Sequence, residues 1–97
     1  MLPKDVLSSL LLKFCTDYAD AGTRLRALSE GDDPEAAADL AHDIKGVSAT
    51  LGATDVSELA ATIEKAFRNR ETANVDTMLD MFSSALAETI KSIRRQV

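Results

Sequence analysis

The sequence has no tryptophan, one cysteine, two prolines and four glycines. A lone Cys15 cannot close an intramolecular disulfide, which argues against a stapled secreted scaffold and fits a reducing, cytoplasmic setting. So few glycines and prolines leave little punctuation for a turn-rich β fold, and aromatic residues make up only 4%. Positive charge is also scarce: Asp and Glu number 16 against 11 Lys and Arg, a net charge of −5. A duplex nucleic-acid binder concentrates positive charge, so no nucleic-acid partner is expected. Nothing approaches the roughly 18 consecutive apolar residues of a membrane span. The N-terminal MLPKDVLSSLLLKFCTDY carries an LLL cluster, but charges interrupt it and no signal-peptide cleavage pattern follows, so no direct membrane contact is expected.

What is present is a chain of 97 residues, 45% hydrophobic and 28% charged, enough for one folded domain spanning residues 1–97 with a modest core. Leu7, Leu11, Phe14, Tyr18, Ala21, Leu25 and Leu28 recur at alternating spacings of four and three, which predicts a helix from Lys4 to about Ser29. Pro3 suits its first turn, Gly22 inside it marks a bend or fray, and Gly31 stops it. Asp32-Asp33-Pro34 is a start signal for a second helix to about Leu51, with Ala37, Leu40, Ile44, Val47 and Leu51 on its core face and Gly52 ending it. Thr54 is the expected cap of a third helix to about Asn69 (Val56, Leu59, Ile63, Phe67). Thr72 or Asn74 caps a fourth, with Val75, Leu79, Phe82, Leu86, Ile90 and Ile93. Short connections between amphipathic helices make the expected fold all-α, an antiparallel four-helix bundle.

The sole histidine sits in AHDIKGVSATLGA, residues 41–53. On a wheel of about 100° per residue with Ile44 at zero, the core residues of this helix fall within about 60° and His42 at about 160°. The imidazole is therefore expected to face solvent or a groove. Its neighbours at i−4 and i+4, Ala38 and Gly46, are small, and so is Ala49. A glycine inside a helix costs about 1 kcal/mol against alanine. That cost is offset if another molecule must come close, although a tight helix–helix contact would explain it equally. Lys45, three residues on, can reach an anion carried on the ring. A neutral imidazole nitrogen, available because the ordinary pKa is about 6.5, can attack phosphorus and release the group again.

These residues resemble the signature of histidine-containing phosphotransfer (HPt) domains, a segment of the form A-H-x-[LI]-K-G followed by small residues and L-G. Ala41, His42, Ile44, Lys45, Gly46, Leu51 and Gly52 match it. The resemblance implies that His42 accepts a phosphoryl group from the aspartate of one response-regulator receiver domain and delivers it to another. It implies that Lys45 steadies the phosphoryl oxygens and Gly46 gives steric access. A polar side chain on the next helix would hydrogen-bond the histidine, with Glu64 the candidate here. The domain would then be no enzyme in the usual sense and hold no cofactor or metal of its own, the Mg²⁺ coming from the partner receiver. It would act as a free-standing monomer or as the C-terminal domain of a hybrid sensor kinase. Ala38, Ala49 and Leu12 are the expected docking residues around His42.

Other readings compete. A metal site from Asp39, His42 and Asp43 lacks a second His or Cys, and Asp43 points away from the other two. A thiol enzyme around Cys15 has no evident activating base. A non-catalytic helical interaction module would leave His42 incidental, so that His42→Gln would change nothing.

Overall fold

Asp33 and Pro34 begin a helix as their chemistry dictates. The Asp33 carboxylate accepts the Ala36 N–H at 3.2 Å, and Pro34 occupies the first helical position, where no N–H is needed. The computed structural model describes residues 4–97 and contains five helical segments: α1 (Lys4–Tyr18), α2 (Ala21–Glu30), α3 (Pro34–Thr50), α4 (Thr54–Arg68) and α5 (Val75–Gln96). Pro3 lies outside the described residues. No strand occurs among them, and α2 to α5 form an antiparallel bundle of four with α1 leading in along α5. The body measures 42 × 21 × 19 Å.

The expected first helix is therefore divided, and the break falls at Ala19–Asp20 rather than at Gly22. Asp20 leaves helical geometry (φ −101°, ψ 13°) and its carbonyl accepts the Arg24 N–H at 2.9 Å, which starts α2 afresh. Gly22 is buried within α2, and a Cβ there would lie 2.2 Å from Ser83 Oγ on α5. Its absent side chain lets α2 and α5 close up, so it is a packing glycine and not a bend.

The connections share one device. After α3, Gly52 takes φ +80° and the Ala53 N–H reaches back to Ser48 O at 2.8 Å, a Schellman turn. After α4, Arg70 takes φ 58° and Glu71 N–H bonds Ala66 O at 2.9 Å; after α2, Asp32 takes φ 57° and Asp33 N–H bonds Leu28 O at 3.1 Å. Gly31, expected to stop α2, is the C-cap with ordinary φ −78°, and the left-handed residue is Asp32. Thr54 does not cap α4; Ala53 holds that position, and the Thr54 hydroxyl turns back to Gly52 O at 3.5 Å.

The core is led by Phe82, Leu25, Ile44, Ile63, Leu79 and Val56. Against it α3 presents Ala37, Ala38, Ala41, Ile44 and Ser48, a face of small residues that lets α4 approach closely. Large-residue spacing alone centred the face on Ile44. The buried arc is instead centred near Ser48 and Ala41, about 50° round the wheel toward Ala38. Leu40, Val47 and Leu51 are consequently half-buried, while Leu7, expected on the α1 stripe, is exposed.

Candidate functional site

Because the buried arc of α3 is rotated, His42 stands on its flank, about 110° from the centre, and not opposite the core. The side chain is 58% exposed and leans toward α4, whose Glu64 lies on the facing side. Glu64 Oε2 is 3.1 Å from His42 Nδ1, and Glu64 Oε1 is 3.0 Å from Lys45 Nζ. One turn on, Arg68 Nε approaches the same Oε2 at 3.2 Å while its Nη2 reaches Asp39 Oδ1 at 3.1 Å. The Ser57 hydroxyl of α4 donates to the Lys45 carbonyl at 3.0 Å, tying the two helices beside the site.

Glu64 is largely buried at 13% exposure. Burial pushes its carboxyl pKa up, but hydrogen bonds from Lys45 and Arg68, with the charges of Lys45 and His42, hold it below the ordinary carboxylate value. An ionised carboxylate can only accept, so the proton on a neutral His42 ring is assigned to Nδ1. The lone pair then sits on Nε2, which has no hydrogen-bond partner among the described residues.

On the other side of His42 runs an open, mainly apolar groove of about 680 Å³ between α1 and α3. Leu10, Phe14 and Tyr18 of α1 face Val47 and Leu51 of α3 across it, with His42, Asp43 and Gly46 along one rim and Lys13 and Asp17 along the other. Gly46 is exposed, and a Cβ built on it meets nothing within 4 Å. The tight helix–helix contact that sequence left open as its explanation is therefore excluded. A larger groove of about 840 Å³, between the α3–α4 turn and α5, does not include His42.

The candidate residues are thus partly assembled. His42, Lys45 and Glu64 meet, and Gly46 and Ala49 are exposed on the same helix. Ala38 is not available to a partner: it is fully buried, on the side toward which the core arc of α3 is rotated. Leu12 is 45% exposed, but the groove beside His42 is lined by Leu10 and Lys13 instead. Asp39, His42 and Asp43 do not gather as ligands; among the described residues no group of three or more His, Cys, Asp or Glu could hold a metal. Cys15 is buried in the core. Sequence reading missed Arg68, although its i, i+4 spacing from Glu64 on one helix face was there to be used.

The bundle thus offers one imidazole at the edge of an apolar groove. The family model for the Hpt domain matches residues 9–96, and the chain belongs to that family. It is therefore a phosphotransfer module of two-component signalling, a class that works with receiver domains and is not an enzyme in the ordinary sense. No curated protein and no solved structure matches the chain significantly.

Proposed function

We propose that His42 is the phospho-accepting residue of a relay, taking the phosphoryl group from one receiver aspartate and passing it to another. The observation that carries this reading is the contact of Glu64 with Nδ1, which leaves Nε2 as the free nucleophile on the exposed side of the ring. In the forward step the Nε2 lone pair forms an N–P bond as the P–O bond to the receiver aspartate breaks, and the carboxylate leaves with the bonding pair. The ring keeps its Nδ1 proton and becomes cationic, with the Glu64 carboxylate beside it to balance that charge. Delivery reverses the step onto a second aspartate.

Lys45 is half-exposed and would turn from Glu64 to the phosphoryl oxygens, and Gly46 leaves the approach open. The apolar groove between α1 and α3 would seat part of the receiver surface. The carrier needs no metal of its own in this scheme; Mg²⁺ on the receiver would neutralise the phosphoryl charge in transfer. The lone, buried Cys15 fits a reducing compartment, and the relay would operate in the cytoplasm. No described helix is long and apolar enough to cross a membrane.

The test is transfer of labelled phosphate from phosphorylated receivers, with Mg²⁺ present, to the wild-type chain and to His42→Gln. Acid-labile label on the wild type and none on the variant is the expected result. Label retained by His42→Gln, or none on the folded wild type from a broad receiver panel, would overturn the proposal.

A further inference from the structure

We infer that Arg68 is a positioning residue for this site: anchored on Asp39, it fixes the Glu64 carboxylate in the place from which Glu64 holds His42. The inference rests on the reading of His42 as phospho-acceptor for its functional meaning, although its geometric part can be measured alone.

Glu64 has two oxygens and they are unequally committed. Oε1 is held by Lys45 at 3.0 Å, whereas Oε2 serves both His42 Nδ1 at 3.1 Å and Arg68 Nε at 3.2 Å. Lys45 ends in a compact point charge on a flexible stem, and its proposed work lies at the phosphoryl oxygens. When it turns to them, it releases Oε1. Glu64 then needs another cation to keep its side chain from rotating away from the ring.

Arg68 is built for that task. Its planar fork places Nε on Glu64 and Nη2 on Asp39 Oδ1 at 3.1 Å, so it bridges α4 to α3 one turn before His42. Both of its carboxylate partners flank the imidazole-bearing turn. Arg68 is well exposed, and exposed ion pairs add little to folding stability, so the value of this one is directional. Lysine at the same position carries the charge but not the fork, and it cannot hold both contacts at fixed angles.

The experiment uses the full chain and two readouts. The ¹⁵N chemical shifts of the His42 ring nitrogens report which one carries the proton, and the rate of phosphate acceptance from a phosphorylated receiver reports transfer. In Arg68→Gln the Nδ1–H form loses population to Nε2–H, and acceptance slows by roughly tenfold, the factor that about 1.4 kcal/mol of lost positioning produces. The melting temperature stays in the range of ordinary surface substitutions. Arg68→Lys falls between, and Asp39→Asn moves both readouts the same way by less; it also carries the test if Arg68→Gln fails to fold. An unchanged tautomer in folded Arg68→Gln overturns the inference. So does slower acceptance without a tautomer change, which would place Arg68 in contact with the receiver instead. A wild type that accepts no phosphate while Arg68→Gln still shifts the tautomer would sink the relay reading and leave the positioning role intact.

Discussion

Gly46 and Gly52 lie six residues apart in one motif, and alanine at each should move stability in opposite directions. Gly46 sits in regular helix and is exposed, and a Cβ there meets nothing within 4 Å. Alanine removes the helix-interior penalty of glycine, so Gly46→Ala should stabilise the domain by about 1 kcal/mol. For a domain of this size that is a rise of roughly 4–8 °C in melting temperature. Transfer should change the other way. If a receiver packs against the bare backbone beside His42, an added methyl overpacks that contact by about 1–3 kcal/mol, a loss of roughly 5- to 150-fold in acceptance rate. Gly46→Leu should transfer more slowly still. Urea denaturation gives the first quantity and labelled-phosphate transfer the second. A variant that is more stable and transfers at the wild-type rate, with leucine as well as alanine, would refute the argument that the glycine serves an incoming protein. A variant that is less stable would refute the helix argument itself.

Gly52 also has open space around it, but its φ of +80° is the left-handed region, so Gly52→Ala should destabilise by about 1 kcal/mol after the entropy gained in the unfolded chain is set against the strain. Denaturation of the variant with transfer still measurable would check it, and Gly52→Asn should lose less. Glu64 makes a pH prediction. Its folded pKa lies below the ordinary carboxylate value of about 4.3, so between the two the unfolded chain binds more protons and stability rises with pH. That contribution is complete above the ordinary value and is lost as pH falls through the folded one. Denaturation from pH 7 to 3 should therefore show a steeper acid loss in the wild type than in Glu64→Gln; parallel losses would contradict the shift.

The bundle was legible in the sequence because its signals are local. The Asp33-Pro34 start, the α5 stripe from Val75 to Leu86 and the exposure of His42 all follow from period and capping chemistry. Ala38 was misplaced because spacing of large apolar residues locates a buried face only when large residues fill it; on α3 alanines and Ser48 do, and the face turns toward α4. Gly22 was misread for a related reason: a glycine that bends a helix and one that admits Ser83 look alike until the partner helix is in place. His42, Lys45 and Gly46 could be picked out by motif. Arg68 offered only its i, i+4 spacing from Glu64, since its tie to Asp39 spans 29 positions and exists only through the packing of α3 on α4.

The side chains that hold and surround the imidazole, from Asp39 to Arg68, all belong to a single helical hairpin, whereas the far wall of the groove belongs to α1. On the proposed docking of a receiver in this groove, a duplicated copy of this domain would be free to drift at Leu10, Lys13 and Tyr18 and change which receiver it serves without disturbing the chemistry. With a receiver seated in the groove as proposed, part of partner choice would be inherited on a segment separate from the chemistry, and selection could act on that part while the reactive hairpin stands still.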